Sequence, residues 1–366
     1  MRIGIPREIK PGERRVSLTP EAVASLIRAG HAVRIESGAG IGAGFSDAPY
    51  AEAGATIVRE AKEAFDADLV VKVKELQATE WRHVREDSSL VGFLLLPFHR
   101  NIAHELRARR VTALAAEAFA DQSGRLPVLA PMSRISGALA ISVGAHWLSL
   151  PMGPRGVEIA DARVVVLGAG SAGAAAAIRA HALGANVSVL SRVGPRLAAL
   201  AHRFGLEART MAMQPDALID ALEGADLVIG ALNTHGGATP KLIDREHLRS
   251  MGAGAVLIDI SIDGGGVAET SRETQFDAPT YVEEGVIHYA VPNMPSAVPR
   301  SATLAYSAAL LPYVAAVADL GAKRAVQCND GLAAGVQLFQ GHVVHKGLAD
   351  AMSCEARSLA ELAAAQ

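Results

Sequence analysis

Cysteine is scarce in this chain, which has 366 residues but only Cys328 and Cys354. So distant a pair supplies neither the disulfide framework of a small secreted protein nor the close spacing of a zinc site. We therefore expect a protein without a metal site in a reducing compartment. Residues 1–6 also lack the apolar core of a secretory signal, which agrees with a cytoplasmic location.

An excess of charge of one sign is lacking as well. Lysine and arginine number 35 and aspartate and glutamate 38, which gives a formal net charge of −3. Such a balance favours neither nucleic acid nor an anionic membrane surface as a partner. The expected partner is therefore a small molecule.

Long apolar runs of membrane-spanning length are also missing. Residues 135–152 and 302–318 carry no acidic or basic side chain apart from His146. Each run is shorter than the roughly 20 residues that comfortably span a bilayer, and both contain polar residues or proline. We interpret both runs as buried helices of a soluble protein.

Apolar runs and turn residues predict a two-domain α/β protein, and the length is sufficient for two separate cores. Most of these runs are too continuous for an alternating pattern, which is typical of parallel strands covered on both faces. Strands are expected near residues 2–6, 31–36, 68–73, 90–96 and 111–116, and then near 163–168, 186–190, 208–213, 226–231, 255–260 and 286–291. Helices are expected at 20–29, 46–54, 126–153 and 301–320 and in the tail, 331–366.

The order of these elements predicts that the chain starts in one domain, enters a second and then returns. Residues 1–125 and 300–366 form the expected substrate and catalytic domain, with a flavodoxin-like α/β fold. Residues 126–299 form the expected dinucleotide-binding domain, a doubly wound Rossmann fold inserted into the first. Ligands are expected in the cleft between the two, at the carboxyl ends of the strands.

The most informative motif is the sequence VVVLGAGSAG at residues 164–173, which leads into an alanine-rich helix and a second apolar strand. Its glycines have the G-x-G-x-x-G spacing of a dinucleotide-binding turn. Gly168 permits the tight turn, Gly170 the approach of a pyrophosphate, and Gly173 close packing of helix and strand. Ser171 and Ala172 complete the turn, whose helix N-terminus attracts phosphate.

The residue at the end of the next strand indicates which dinucleotide binds. An acidic side chain there holds the ribose 2′-hydroxyl of NAD(H). This chain has Ser191 followed by Arg192, and Arg196 is a weaker candidate nearby. Because arginine pairs well with phosphate and no carboxylate repels it, we expect NADP(H) to be favoured, with NAD(H) possible.

Several segments together resemble the alanine dehydrogenase family, which is related to the soluble NAD-binding part of proton-translocating transhydrogenase. The resemblance extends over nearly the whole chain. It rests on GIPRE at 4–8, ERRV at 13–16, GAGIG at 38–42, VKVKE at 71–75, LAPMS at 129–133, the glycine turn, IDISIDGGG at 258–266 and HYAVPNMPSAVPR at 288–300.

The resemblance implies a reversible reaction. In it, an amino acid and an oxidised nicotinamide give a 2-oxo acid, ammonia and a reduced nicotinamide. Arg15 and Lys74 match the positions that bind the substrate carboxylate, for which a fixed cation is needed. Asp263 matches the catalytic aspartate that handles a proton. Asp259, by contrast, is expected to be structural.

The resemblance also implies residues on the cofactor side of the site. Asn293 and Met294 match residues that contact the nicotinamide, and Ser133 matches another position near the cofactor. Family members assemble as homo-oligomers, so we expect self-association here too.

This chain departs from the family at its catalytic histidine. In the segment LVGFLLLPFH at residues 90–99, Leu95 stands in place of the histidine and Phe93 in place of a tyrosine. Leucine can neither donate a hydrogen bond nor carry a proton. His99, four residues later, is the candidate replacement, and His235 and His288 have less support.

These departures lead to a main hypothesis and two alternatives. The main hypothesis is an NADP(H)-preferring oxidoreductase that acts on the C–N bond of an amino or imino acid. It covers an amino acid dehydrogenase, a reductive aminase and an imine reductase. One alternative is an NAD-dependent alanine dehydrogenase. The other is a non-catalytic NAD(P)-binding sensor or transhydrogenase-like subunit, against which the retained Arg15, Lys74 and Asp263 argue.

Overall fold

The structure is a computed structural model that describes residues 1–149, 155–192, 194–204, 209–212, 214–232 and 238–364. The described strands, in chain order, are β1 (Arg2–Ile5), β2 (Ala32–Glu36), β3 (Thr56–Val58), β4 (Leu69–Lys74), β5 (Ser89–Phe93), β6 (Thr112–Ala115), β7 (Arg163–Leu167), β8 (Asn186–Ser191), β9 (Arg209–Ala212), β10 (Leu227–Gly230), β11 (Val256–Asp259), β12 (Thr280–Glu283), β13 (Val286–Tyr289), β14 (Val336–Phe339) and β15 (His342–Val343).

The described helices follow the same chain order. They are α1 (Pro20–Arg28), α2 (Asp47–Glu52), α3 (Ala61–Phe65), α4 (Arg100–Ala108), α5 (Leu129–Ser149), α6 (Ser171–Ala182), α7 (Pro195–Phe204), α8 (Pro215–Leu222), α9 (Arg245–Met251), α10 (Pro299–Cys328), α11 (Asp330–Ala333), α12 (Lys346–Met352) and α13 (Leu359–Ala364).

The chain divides into two compact units, each built on its own mostly parallel sheet. The first unit contains residues 1–132 and 296–366, and the second contains residues 133–295. The sequence placed these boundaries at 125/126 and 299/300 instead. The first boundary, between residues 132 and 133, lies within α5. The first turn of this helix belongs to the first unit and the rest to the second, so the boundary does not coincide with the start of the helix.

The sheet of the first unit corrects the expected flavodoxin-like order. Its strands lie in the order β15-β14-β6-β5-β4-β1-β2-β3, with β1 to β6 parallel. The five strands predicted in this part of the sequence do have the flavodoxin order 2-1-3-4-5 among themselves. However, β3 pairs outside β2 and turns the order into 3-2-1-4-5-6, that of a dinucleotide-binding fold. This edge strand has only three residues, too few for a periodic signal.

The second unit has the predicted doubly wound Rossmann sheet, in the order β12-β13-β11-β10-β7-β8-β9. All six predicted strands are present, and β12 is an additional antiparallel edge strand paired with β13. Alternate residues of β7 enter different cores: Val164 and Val166 pack into one, Val165 and Leu167 into another. Because both faces of the strand are covered, its sequence is a continuous apolar run.

The predicted start of α1 is confirmed. The Thr19 side chain accepts a hydrogen bond from the amide of Ala22 at 3.3 Å, and Pro20 occupies the first turn. Proline fits there because the first amides of a helix have no partner within the helix. The cap fixes the residue at which the loop after β1 ends and α1 begins.

The helix α10 is long and apolar enough to cross a membrane, and 44% of its apolar 18-residue stretch is buried inside the protein. Thr303 and Ser307 accept hydrogen bonds from the amides of Val16 and Thr19. The helix is interrupted at Gly321, where φ is 75° and ψ is 152°, next to its predicted end at residue 320. Its inward face therefore supports the loop between β1 and α1.

The tail is only partly helical, which corrects the expectation of a helix throughout 331–366. Residues 336–339 form β14, which pairs antiparallel with β6, and 342–343 form β15. Backbone pairing with the exposed edge of β6 outweighs the local helical preference of the alanine-rich sequence.

Candidate active site

The glycine turn joins β7 to α6 in the geometry that the motif predicts. Gly168 has φ 110°, and a Cβ there would lie 2.5 Å from the carbonyl oxygen of Ala231. A Cβ on Gly173 would lie 1.8 Å from the carbonyl oxygen of Gly168. Both glycines are therefore required by the packing of the turn itself.

Gly170 has a different role, because a Cβ built on it meets no heavy atom within 4 Å. It is the N-cap of α6, which begins at Ser171, and no side chain caps this end. Close behind, α5 crosses α6, since a Cβ on Gly137 would lie 2.0 Å from the carbonyl oxygen of Ala172. Open space in front of an uncapped helix N-terminus fits the pyrophosphate of a dinucleotide.

The end of β8 carries the residues that would meet the adenosine ribose. Ser191 is the last residue of the strand and is partly exposed, whereas Arg192 and Arg196 are exposed. No acidic side chain occupies this strand end. The site therefore presents positive charge at the position where NAD-selective sites carry a carboxylate.

Asp259, the last residue of β11, and Asp263, in the turn that follows, have different surroundings. Asp259 is 2% exposed and accepts hydrogen bonds from the amides of Ser261 and Val267 and the hydroxyl of Ser271 at 2.6–3.1 Å. It is structural, as expected. Asp263 lies exposed on the short helical turn Ile260–Gly264, so its carboxylate can meet a ligand.

Three further predicted cofactor-side residues lie in the second unit. Asn293 has a left-handed backbone with φ 59°, a conformation that asparagine tolerates better than most residues. Met294 is 3% exposed and belongs to an apolar core cluster, so most of its surface packs against protein. Ser133 is partly buried on α5.

In the first unit, Lys74 ends β4, the strand beside β1 at which the strand order reverses. Such a switch point is where open α/β sheets bind ligands. Lys74 is 5% exposed and Lys72 is fully buried, so neither is a solvated surface lysine. The structure therefore places the predicted carboxylate-binding lysine in a desolvated position at the favoured end of the sheet.

A group of charged residues surrounds Lys74; we call Lys10, Lys74, Glu75 and His99 the Glu75 cluster. Lys10 donates to Oε1 of Glu75 at 2.6 Å, and Nε2 of His99 lies 3.9 Å from the same oxygen. Nζ of Lys74 lies 3.9 Å from Oε2 of Glu75. Burial acts to raise the pKa of Glu75, but Lys74 and Lys10 outweigh it and hold that pKa below its usual value.

The structure thus brings His99 and Lys74 to the same carboxylate, which the sequence could not show. The His99 side chain is 34% exposed. Its partial burial lowers the pKa of the imidazole. The charges of Lys10 and Lys74 lower it further, whereas the charge of Glu75 raises it. His99 is therefore expected to be neutral at pH 7 and able to accept a proton.

Arg15 is held by Glu13, two residues earlier in the chain. Its Nε and Nη2 donate to the two carboxylate oxygens of Glu13 at 2.7 and 2.5 Å, and Nη1 donates to Sδ of Met132 at 3.2 Å. The side chain is 1% exposed. This bidentate pair fixes the guanidinium in one orientation, as a site that must place a carboxylate requires.

A buried network of ion pairs lies beside the end of β4. Nζ of Lys72 lies 2.7 Å from Glu80 and 3.2 Å from Glu8, and the Tyr306 hydroxyl donates to the Lys72 carbonyl oxygen. Burial raises the pKa of Glu8 to about 7, opposed by Lys72. No local motif marks Glu8 or Glu80 as partners of Lys72, because the contact joins three separate segments.

Of the two remaining histidine candidates, the structure describes only His288. His288 is 1% exposed, bonds to Thr270 and to the Val286 carbonyl oxygen, and stacks on Tyr281 at a ring distance of 4.9 Å. It is a satisfied core histidine. His235 lies outside the described residues.

Comparison with known proteins identifies the family of the chain. Family models match both parts of the chain: "Alanine dehydrogenase/PNT, N-terminal domain" at residues 4–136 and "Alanine dehydrogenase/PNT, C-terminal domain" at 140–346. An alanine dehydrogenase of Halomonas elongata is 41% identical over 97% of this chain and 98% of its own length. Alanine dehydrogenase 2 of Staphylococcus aureus is 39% identical over 99% of both chains.

Solved structures give the same result. An L-alanine dehydrogenase structure superposes with a TM-score of 0.91 at 39% identity, covering 96% of this chain and 99% of that one. A transhydrogenase from Sinorhizobium meliloti has a TM-score of 0.80 at 25% identity, covering 94% and 99%. The chain therefore belongs to the alanine dehydrogenase/PNT family, as a two-domain α/β oxidoreductase of the amino acid dehydrogenase type.

Proposed function

We propose that this protein catalyses the reversible oxidative deamination of a small amino acid, with alanine as the first candidate and NAD(H) as the first cofactor. An amino acid, an oxidised nicotinamide and water give a 2-oxo acid, ammonium and a reduced nicotinamide. The observation that carries the proposal is the buried Lys74 beside Glu75 and His99 at the strand-order switch, in a chain similar to alanine dehydrogenases along its whole length.

The residues of the first unit bind and orient the substrate in this proposal. Lys74 and Arg15 receive the substrate carboxylate, Lys74 as a desolvated point charge and Arg15 as a guanidinium fixed by Glu13. A carboxylate held by two fixed cations leaves the α-carbon in a defined position, which removes orientational entropy from the reaction.

The second unit supplies the cofactor site in this proposal. The backbone around Gly168, Gly170 and Gly173, with Ser171 and Ala172, receives the pyrophosphate. On the nicotinamide side lie Asn293, Met294 and Ser133. When bound, the dinucleotide supplies the ring that takes up or returns the hydride.

Two groups are proposed to handle protons. Asp263 acts as acid or base on the substrate, since its carboxylate is exposed on a turn. His99 replaces the histidine that Leu95 displaces, because its imidazole lies beside Glu75 and its lowered pKa favours the neutral base. A correctly placed acid–base group typically contributes about 10²–10⁴-fold to a rate.

A second candidate is an NADP(H)-preferring enzyme that acts on an amino or imino acid. Exposed Arg192 next to Ser191 favours it, because an arginine can pair with the ribose 2′-phosphate. Leu95 favours an imine substrate, since a preformed and already protonated imine needs less acid catalysis. A non-catalytic dinucleotide sensor is the third candidate, and the Glu75 cluster argues against it.

The proposal also includes the setting in which the protein works. A cytoplasmic homo-oligomer with a small-molecule substrate, without nucleic acid or membrane as a partner, is the proposed working form. The near-balanced charge of the chain supports this part of the proposal.

The decisive experiment measures NADH and NADPH oxidation with a panel of 2-oxo acids, each with and without ammonium. Ammonium-dependent NADH turnover with pyruvate is the expected result. NADPH turnover with another oxo acid would favour the second candidate, and turnover of cyclic imines without ammonium would favour imine reduction. No turnover with any substrate of the panel would favour the third candidate, a non-catalytic dinucleotide-binding protein.

Variants assign the roles within the same assay. Asp263→Asn should lower kcat at least a hundredfold while dinucleotide affinity stays the same. His99→Asn should remove the fall in deamination rate on the acidic side of the pH profile, where the imidazole takes up a proton and no longer acts as a base. Asp216→Asn, which changes an exposed aspartate on α8, is the matched control and should behave as the wild type. Equal kcat for Asp263→Asn and the control would exclude Asp263 from proton transfer.

A further inference from the structure

The end of β5 contains an unusual backbone conformation. Leu95 has φ 45° and ψ 37°, in the left-handed region. The other non-glycine residues with positive φ in the described part of the chain are polar or charged: Asp87, Arg110, Glu284, Asn293, Gln340 and Ser353. Such residues can bond locally or to solvent in this region, whereas a leucine gains nothing that offsets the close contact of its Cβ.

The surroundings of Leu95 explain how this conformation persists. Oε1 of Glu117 accepts a hydrogen bond from the Leu95 amide at 2.8 Å, and Oε2 accepts one from the Leu94 amide at 3.1 Å. Two successive amides that converge on one anion form a backbone nest, which requires the chain to leave its extended course. Burial raises the pKa of Glu117, opposed by these amides.

The turn then decides which side chains leave the core. Leu94 and Leu96 are 0% and 1% exposed, whereas Leu95 between them is partly exposed. The Leu95 carbonyl oxygen accepts from the Phe98 amide at 2.9 Å, which starts the short helical turn that leads to His99. The nest therefore fixes both the outward position of residue 95 and the path of the chain to His99.

The nest is adjacent to the Glu75 cluster through the sheet. Lys74 at the end of β4 pairs with Phe93 at the end of β5, and Gly92 pairs with Ala115, which ends β6 shortly before Glu117. Three neighbouring strands thus deliver Lys74, the turn at Leu95 and Glu117 to one edge of the first unit. The charge of Lys74 also favours the ionised form of Glu117.

We propose that Glu117 is a positioning residue of the amino acid dehydrogenase site, whose carboxylate imposes the left-handed turn at Leu95 and thereby sets what residue 95 and His99 present to the substrate. The inference rests on the proposed function of the Glu75 cluster. Leu95 then presents an aliphatic side chain to the substrate, at the position where the family has a polar histidine. The same backbone turn therefore carries an apolar surface on its substrate side.

The test compares Glu117→Gln with the double variant Glu117→Gln/Leu95→Gly. An amide side chain can accept one of the two hydrogen bonds but offers a donor to the other amide, so the nest fails. Without the nest, leucine leaves the left-handed region, and we expect kcat/KM for the amino acid to fall roughly five- to thirty-fold while KM for the dinucleotide is unchanged. Glycine adopts the turn without assistance, so Glu117→Gln should cost little further activity when it is added to Leu95→Gly. The single variant Leu95→Gly measures separately what the loss of the aliphatic side chain costs.

Matched controls separate this effect from general damage. Glu52→Gln changes an exposed glutamate at the end of α2 and should leave all parameters unchanged. Glu117→Asp keeps the charge with a shorter reach and should give an intermediate kcat/KM, which also covers the case in which Glu117→Gln does not fold. Amide hydrogen exchange of the segment 89–99 should accelerate in Glu117→Gln and not in Glu52→Gln.

The outcomes are distinguishable. A wild type without amino acid turnover would refute the proposed function and, with it, the positioning role. An active wild type whose Glu117→Gln and Glu117→Asp variants keep their kcat/KM would refute the positioning role alone. If Glu117→Gln lowers kcat/KM by as much in the Leu95→Gly background as in the wild type, Glu117 acts on the site by a route other than the turn, and this also overturns the proposal.

Discussion

Two glycines of the same motif should respond in opposite ways to the same substitution. In Gly170→Ala, the new methyl group meets no atom within 4 Å, and the backbone is extended with φ −73° and ψ −173°, which any residue adopts. In Gly173→Ala, the methyl group would lie 1.8 Å from the Gly168 carbonyl oxygen and 3.2 Å from Cγ1 of Val166. The first change leaves the apoprotein intact and obstructs a ligand, whereas the second disrupts the turn itself.

The magnitudes follow from these contacts. A methyl group on Gly170 would keep the pyrophosphate from the backbone, and the loss of one hydrogen bond to a charged group costs about 1.5–3 kcal/mol. Dinucleotide affinity should then fall roughly ten- to hundredfold. Overpacking at Gly173 costs about 1–3 kcal/mol or more. At about 2–4 °C per kcal/mol for a unit of this size, Tm should fall by several degrees.

The assay is a calorimetric titration with NADH and with NADPH, together with thermal unfolding of each variant without ligand. We expect Gly170→Ala to keep the wild-type Tm and lose affinity, and Gly173→Ala to lose both. If Gly170→Ala binds either dinucleotide as tightly as the wild type does, the open space at the N-terminus of α6 is not the pyrophosphate site, and the argument from the motif is refuted.

Two other predictions rest on charge. The stability that Glu8 contributes is fully present below pH 4.5 and is lost as pH rises to its folded pKa of about 7, since burial makes the folded state bind this proton more tightly than the unfolded state. Glu8→Gln removes this dependence, so its Tm relative to the wild type should increase from pH 4.5 to pH 7; a constant difference in thermal scans would contradict the raised pKa. Arg192→Ala should weaken NADPH binding roughly tenfold and leave NADH binding unchanged, because only the former carries a 2′-phosphate. Equal effects in titrations with both dinucleotides would show that Arg192 does not select between them.

Local patterns were sufficient for most of the fold. Continuous apolar runs predicted β7 and its neighbours because strands covered on both faces have no polar face to interrupt the run. Thr19 and Pro20 predicted the start of α1 because a helix start depends on a few adjacent residues. The short strands β3, β14 and β15, which lie at or next to the edges of their sheet, were missed because short strands form through their neighbours. The missed β3 also led to the wrong flavodoxin order.

The candidate site divides in the same way. Lys74 and Asp263 could be selected from motifs that surround them in the chain. The roles of Glu75, which stands in the VKVKE motif, and of Glu117 could not be predicted. They depend on contacts with His99 and with the turn at Leu95, which the sequence does not mark.

The sequence alone determined the two-domain α/β class, the glycine turn and the family, since each depends on residue types at short, fixed spacings. Tertiary structure decided the rest. It brought His99 to Glu75, locked Arg15 with Glu13 and held Leu95 in a left-handed conformation through Glu117. The physical reason is that a charge or a backbone conformation acquires its energy from the groups packed around it, and strand pairing brings those groups together from distant parts of the chain.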